Sequence, residues 1–389
     1  MTRRPNGFLV PPGQFALVTF PLTCSRPGYS AGPDSWSCKT PTDPAEKDHS
    51  RKRSTINDIA RLANVSKKTV SRVINDSPFV KEETRLKVNA IIREVGFEPD
   101  PQARGLAFRR SFLIGMIYDN PTPQYVVNMQ QGILDAMRGT SYGLLVHPCE
   151  RTNPHYLPDL RSFIERQKLF GVILTPSISE DELLVKMLRE FDCPYVRVAS
   201  VILDKPGTMV VTHDADGAGE AADHLAELGH THIAHISGPA LFRSAHERRR
   251  GFREALAKRG LSVAADCDKE GNYTFERGIE LARELLSLNP RPTAVFCGND
   301  ETAAGVYKVA HEIGLAIPKD LSVIGFDDST TAIQLWPPLT SVRLPVREMG
   351  RLATAKLFAM QEKKLGPDGD VTEVIPKLVI RESTADPSR

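Results

Sequence analysis

The chain has 389 residues, 25% of them charged and 41% hydrophobic, a balance that excludes a collagen, a mostly disordered chain and a transmembrane protein. Net charge is only +2, but residues 51–110 carry +7, residues 1–50 carry +1 and the rest carry −6. A short basic module on a large acidic body points to a polyanion as partner of the small part, either nucleic acid or an anionic membrane surface.

Residues 1–53 read as an extension. Pro5, Pro11, Pro12, Pro21, Pro27, Pro33, Pro41 and Pro44 interrupt any regular element. The apolar stretch 8–24 follows Arg3-Arg4, so a signal peptide has to be weighed. Pro11-Pro12-Gly13 breaks that run, and Thr23 is a poor residue before a lipid-bearing cysteine. A disordered tail, or residues added by an upstream start codon, is the expectation.

A helical period begins at Thr55. Thr55 followed by Asp58 reads as a capping box, and Ile56, Ile59, Ala60 and Ala63 line one face. Asn64-Val65 interrupts. Ser66 caps a second helix whose Val70, Val73 and Ile74 turn back on the first, leaving Lys67, Lys68, Ser71 and Arg72 outward. A third helix runs from about Glu82 to Val95, with Gly96 to close it. Three short helices with a tight second turn match a helix-turn-helix, whose second helix enters the major groove. The alternative left open by the pattern is a solvated basic face on an ordinary bundle.

The stretch TINDIARLANVSKKTVSRVINDSPFVKEETRLKVNAIIREVGFEPDPQARGLA resembles the LacI/GalR family of bacterial regulators, and the likeness continues to the end of the chain. The order D-I-A, V-S-x-x-T-V-S-R-V-I-N, E-T-R and G-F-x-P in one module is its most specific part. The resemblance implies that Lys67 and Lys68 select operator bases, with Arg72 a further base contact. It implies that Thr55, Ser66, Thr69, Ser71 and Asn75 hold phosphates. Lys81 stands where a capping serine is frequent, and Phe79 fills a loop position that is often polar. Pro99 and Pro101 bracket a linker over 101–110 that is too short for a stable helix by itself. It resembles a hinge helix that folds when two copies meet on the minor groove. Leu106 would then wedge between base pairs and Ala103 would pack on its dimer mate. Asp100 replaces the usual asparagine. A buried linker residue is the plain alternative for Leu106.

From Phe112 onward, short apolar runs (FLIGMIYD, YGLLVHP, GVILTP, PYVRVAS, IAHISGP, AVFCGN, LSVIGFDD) alternate with amphipathic stretches such as 215–229, 245–260 and 300–314. That alternation implies parallel sheets in βαβ units, with ligands at the carboxyl ends of strands. Asp119, Asn120, Thr175, Ser237, Asn299, Asp300, Asp327 and Asp328 are the polar residues at those ends. No Gly-x-Gly-x-x-Gly or Walker A loop follows a strand, so no nucleotide cofactor is expected. No nucleophile elbow or Ser/His/Asp set appears, so neither catalytic residues nor an enzyme is expected. The six cysteines are scattered without a C-x-x-C pair, which speaks for a reducing cytoplasm and against a zinc ribbon. His230, His232 and His235 are the one histidine cluster, read as a turn and strand with solvent-facing imidazoles and not as a metal site.

The resemblance implies a periplasmic-binding-protein-like body over 111–389, two lobes joined by three crossings around a small molecule. The segment S-A-H-E-R-R-R-G-F at 244–252 matches the effector segment of the family, with Arg248 as the arginine that grips sugar hydroxyls or a carboxylate. Asn299 and Asp327 match hydroxyl-binding positions, Tyr273 an aromatic that stacks on a sugar face, and Asp119 and Tyr125 the wall of the first lobe. Arg248 in a solvated run, Asn299 as a helix cap and Tyr273 as core are the competing readings. Leu344 and Ala199 depart from polar positions of the family. The run VIPKLVIRES after Gly366 looks like one strand, and without leucine heptads a homodimer is expected rather than a tetramer.

The expectation is an all-α head at 54–100, a hinge at 101–110 and an α/β two-lobed body. Functionally it is a cytoplasmic repressor that binds double-stranded, palindromic operator DNA under control of a sugar-like effector. An extracytoplasmic sugar receptor is the rival; it would share the body but lack residues 54–110.

Overall fold

The computed structural model describes residues 54–74, 77, 79–97, 111–362 and 369–388. Asn75, Ala103, Leu106, the linker 101–110 and the extension 1–53 lie outside the described residues.

The head is three helices: α1 (Ile56–Ala63), α2 (Lys67–Ile74) and α3 (Glu82–Val95). The capping box forms as the sequence implies: the Asp58 carboxylate accepts from the Thr55 amide at 2.9 Å, and the Asp58 amide donates to the Thr55 hydroxyl at 3.4 Å. Asn64 closes α1 in the left-handed region at φ 52°, a conformation asparagine tolerates better than most residues. Ile59, Ala60, Ala63, Val70, Val73 and Val88 are buried together, so the small Ala60 does lie in the helix-packed core. Lys81 supplies no side-chain cap to α3, as its departure from serine implies, and Gly96 ends that helix at φ 61°.

The body contains two six-stranded sheets. The first is built from β1 (Leu113–Tyr118), β2 (Gly143–Pro148), β3 (Gly171–Leu174), β4 (Tyr195–Ala199), β5 (Met209–Thr212) and β11 (Thr372–Val374), in the order β11-β5-β4-β3-β1-β2. The second holds β6 (Ile233–Ser237), β7 (Asp268–Glu270), β8 (Ala294–Cys297), β9 (Ser322–Asp327), β10 (Thr340–Arg343) and β12 (Lys377–Val379), in the order β12-β10-β9-β8-β6-β7. All pairings are parallel except β10 with β12. β3, β4, β6 and β8 are buried along their whole length. Helices cover both faces of such strands, so they read as unbroken apolar runs rather than alternating ones.

Among the described residues the chain passes between the sheets three times, at 212–214, 343–346 and 374–377. The third crossing corrects one expectation. VIPKLVIRES is not a single strand; Pro376, without an amide proton, separates β11 in one sheet from β12 in the other. Helix α4 (Pro123–Met137) packs on α12 (Val346–Gln361) in the first lobe, and α7 (Asp214–Glu227) packs on α8 (Arg243–Lys258) in the second. Both crossings are close enough to require glycine. A Cβ on Gly132 would stand 1.9 Å from the Arg347 carbonyl, and one on Gly251 would stand 2.0 Å from the Ala215 carbonyl. Gly251 thus brings the turn of α8 that carries Arg248 down onto the helix that follows the first crossing. No helix among the described residues is long and apolar enough to cross a membrane.

Candidate functional site

On the head, Ser66 stands before α2; its hydroxyl accepts from the Thr69 amide at 3.1 Å and lies 2.9 Å from the Thr69 hydroxyl. This fixes the first turn of a helix that buries Val70 and Val73. The opposite face is consequently set: Ser66, Lys67, Lys68 and Arg72 are exposed, with Thr69 and Ser71 half-buried beside them. Three cations on one exposed face, flanked by hydroxyls, have the chemistry to meet phosphates and guanine edges. Phe79 is 85% exposed.

In the body a narrow cleft lies between the lobes at the carboxyl ends of the strands. Tyr125 from α4 lines it on one side; Arg248, Tyr273 and Asp327 line it on the other. Arg248 is 6% exposed and rigidly held. Its Nε donates to Asp214 Oδ1 at 2.8 Å and its Nη1 to the Gly298 carbonyl at 2.6 Å. Its Nη2 lies 3.7 Å from Asp327 Oδ1, and the guanidinium stacks 3.6 Å above the Phe326 ring. Burial alone would lower its pKa, but Tyr273, Asp214 and Asp327 together hold it above the ordinary arginine value.

Burial drives the other groups. It pushes the Asp327 carboxyl up to about 7 against the pull of Arg248. It raises Tyr125 and Tyr273 as well. The Tyr125 hydroxyl is buried with no hydrogen-bond partner among the described residues, and that of Tyr273 is buried beside Ser244. A buried hydroxyl without a partner, as on Tyr125, is costly unless a ligand or water completes it. Tyr273 at φ 68° and Asp327 at φ 103° also occupy backbone regions that L-residues avoid, strain of the sort that concentrates at functional sites.

Of the six residues expected at an effector site, four thus meet in the cleft and two do not. Asn299 is engaged elsewhere: its Oδ1 accepts from the Thr302 amide at 3.0 Å, capping α10 (Asp300–Glu312), and its Nδ2 donates to the Tyr273 carbonyl at 2.9 Å. It holds Tyr273 in place instead of lining the cleft. Asp119 accepts from the Arg151 amide at 3.2 Å and the Ser177 hydroxyl at 3.3 Å, tying loops of the first lobe together. Asp300 is likewise structural, accepting from Ser329 N at 2.6 Å and Ser341 Oγ at 2.5 Å. The neighbouring acids divide their work: Asp328 pairs with Arg343 and Arg381, while Asp327 faces the cleft.

The sequence reading missed Asp214 and Thr212, which also line the cleft. Thr212 ends β5 and Asp214 opens α7 just beyond it; a four-residue strand gives too short a signal for the strand-end rule to single them out. The histidines need a second correction. His230 is buried among the Thr293 hydroxyl (2.8 Å), the Ser322 hydroxyl (3.0 Å) and the Ala385 carbonyl (2.9 Å). His235 is buried between Phe252 and Phe296, with Nδ1 3.1 Å from Asp268. Neither faces solvent: His235 lies on β6, inside its sheet with helices against it, and His230, just before that strand, is covered by the segment around Ala385.

Comparison with known proteins agrees with this division. Residues 55–100 match the model of bacterial regulatory proteins of the lacI family, and residues 222–384 match a periplasmic binding protein-like domain. The probable HTH-type transcriptional repressor ExuR of Bacillus subtilis is 32% identical over 312 residues, spanning 79% of this chain and 91% of that protein. A complex of the transcriptional regulator CelR with cellobiose superposes with TM-score 0.65 and 29% identity, covering 85% of this chain and all of CelR. The lac repressor dimer bound to operator and the anti-inducer ONPF gives TM-score 0.69 and 26% identity, covering 86% of this chain and all of the repressor chain.

Proposed function

Because the chain belongs to the lacI family of bacterial regulatory proteins, we propose that it is a transcriptional repressor whose affinity for operator DNA is set by a small ligand held between the two lobes. The observation that carries this reading is the convergence of Arg248, Asp327 and Tyr273 of one lobe with Tyr125 of the other on a single cleft, in a chain whose head exposes Lys67, Lys68 and Arg72 on one helix face. Lys67, Lys68 and Arg72 read bases. Thr55, Ser66, Thr69 and Ser71 hold phosphates, and Asn75, Ala103 and Leu106 keep the phosphate and minor-groove roles that the family resemblance implies.

The effector residues are Tyr125, Arg248, Tyr273 and Asp327, with Asp214 added. Asn299 and Asp119 act as supports for the wall. The effector is a small hydroxyl-bearing molecule, and the protein works as a homodimer on a two-fold symmetric site in the cytoplasm, where DNA is. The chain is a binding protein rather than an enzyme, in keeping with the transcriptional regulators it resembles. The helical head favours this reading over the extracytoplasmic receptor, which has no use for one.

Selection of the full chain against random oligonucleotides, followed by gel shifts over a salt series, tests the proposal. A preferred sequence with two-fold symmetry is expected, with affinity falling steeply as salt rises. Lys68→Ala should alter base preference at one position of each half-site. Binding without sequence preference would overturn it.

A further inference from the structure

We infer that Arg85, on α3, is a positioning residue for base recognition: it fixes the last turn of α2 and with it Arg72, without touching the duplex itself. This rests on the reading of Lys67, Lys68 and Arg72 as base contacts. α2 has only eight residues. A helix that short is marginal in water unless its ends are held from outside. Its two ends are held by different means. At the first turn, which carries Lys67 and Lys68, the Ser66 hydroxyl accepts from the Thr69 amide at 3.1 Å. The last turn, which carries Arg72, has no glycine to close it; the next glycine in the chain is Gly96. The Arg72 carbonyl accepts instead from the Ser77 amide at 2.9 Å. The carbonyl of Ser77 in turn accepts from Arg85 Nη2 at 2.7 Å. Arg72 is thus tied through Ser77 to a side chain of the following helix.

Charge, shape and burial suit Arg85 to this role. Its side chain is 17% exposed, and its Nε lies 3.4 Å from the Glu82 carboxylate one turn earlier on α3. One planar group therefore spans a carboxylate of α3 and a carbonyl at the exit of α2, an arrangement that a lysine ammonium reaches only in part. A charged donor also makes a stronger bond to a carbonyl than a neutral one. α3 is itself anchored, because Val88, three residues on, is buried with Val70 and Val73. Removal of the Arg85 side chain leaves that apolar core in place. It frees the last carbonyls of α2, which have no partner within the helix. Arg72 then loses its fixed bearing, whereas Lys67 and Lys68 keep the turn that Ser66 and Thr69 hold. A bidentate arginine–guanine contact discriminates about 5- to 150-fold between bases, and it needs the guanidinium aligned with the base edge. That alignment is what the Arg85 contact preserves.

The test uses the full chain on the DNA site that the oligonucleotide selection yields, with single-base variants of that site scored by gel shift. Arg72→Ala marks the base pair that Arg72 reads, as the position where preference is lost; Lys67→Ala and Lys68→Ala mark theirs. In Arg85→Ala, preference at the Arg72 position should fall at least about fivefold, while preference at the Lys67 and Lys68 positions should change by less than about twofold. The slope of log affinity against log salt should match the parent, since loss of a phosphate contact would reduce it by about one. Hydrogen exchange supplies the structural readout. The Ser77 amide should lose at least about fivefold of its protection, while the Val70 amide, bonded to the Ser66 carbonyl at 3.1 Å, should keep its own.

Arg85→Lys keeps the charge and donates to one acceptor at a time. It should show the same pattern with a smaller loss, at least about twofold, and it decides the matter if Arg85→Ala melts below the assay temperature. Equal weakening at every base position would mean that Arg85 only stabilises the head, and the inference falls. Unchanged preference at the Arg72 position, or a salt slope reduced by about one, overturns it as well. The reading beneath it fails separately: if Arg72→Ala loses no base preference, Arg72 is not a base contact, whatever Arg85→Ala does.

Discussion

Removal of one carboxylate should loosen the contact between the lobes. Helix α8, which carries Arg248, begins without a capping side chain of its own. Its first amide, that of Arg243, donates across the cleft to Glu180, a residue just after β3 of the other lobe, with both carboxylate oxygens at 3.2 Å. Glu180 therefore caps a helix that belongs to the opposite lobe. Loss of an N-cap costs about 0.5–2 kcal/mol. The long, shared geometry argues for the lower half of that range. Burial raises the Glu180 carboxyl above the usual carboxylate range, which shows that part of the gain is offset by desolvation. A net value of about 1 kcal/mol follows, a change of about fivefold in the balance between latched and unlatched lobes.

Hydrogen exchange reads this directly, because the first amide of a helix has no acceptor within the helix. In Glu180→Ala, the Arg243 amide should lose at least about fivefold of its protection, while Val295, in the middle of the second sheet, should keep its own. Glu180→Gln retains an oxygen acceptor and should lose less. Equal protection of Arg243 in the parent and in Glu180→Ala would refute the reasoning.

Other outcomes follow from single contacts. Arg248→Ala leaves Asp214 buried without its cation and should cost about 3–5 kcal/mol; adding Asp214→Ala should recover part of that loss in a double-mutant cycle read by thermal melting. Gly251→Ala places a methyl group against the Ala215 carbonyl and should lower stability by about 1–3 kcal/mol, seen as a lower melting temperature with the fold retained. His230 has a pKa lowered by burial from 6.5, so the unfolded chain takes up its proton first as pH falls. Its contribution is complete above pH 6.5 and is lost below that value; His230→Gln should show a shallower fall in melting temperature between pH 7 and 5 than the parent.

Much of this architecture is legible in the sequence because its elements obey simple periods. The head follows 3.6-residue spacing closely enough that Val70 and Val73 fix the outward face of Lys67, Lys68 and Arg72. The central strands announce themselves as continuous apolar runs. Short or polar strands do not. β7 consists of Asp268, Lys269 and Glu270, three charged residues that form a strand because it is the sheet's edge, with Asp268 paired to His235 and Arg249. β5 has only four residues, and with it went Asp214. The fate of Asn299 was open for another reason: one side chain can cap a helix or meet a ligand, and only the Thr302 and Tyr273 contacts decide between them.

Helix α8 links the cleft to the contact between the lobes. One of its turns presents Arg248 to the cleft, and its first amide is held by Glu180 of the other lobe. A second bond across the cleft, from Asn299 Nδ2 to the Thr122 hydroxyl at 3.4 Å, acts in the same sense. If the ligand touches both lobes, it favours the state that these bonds favour. Ligand and latch are then thermodynamically linked, and each must strengthen the other by the same factor. Glu180→Ala should accordingly raise the apparent dissociation constant of any sugar that binds the parent, by no more than the factor, about fivefold, by which it depopulates the latched state. A larger loss would mean that Glu180 contacts the ligand itself. No loss, with Arg243 deprotected, would mean that the ligand binds one lobe and leaves closure to other forces.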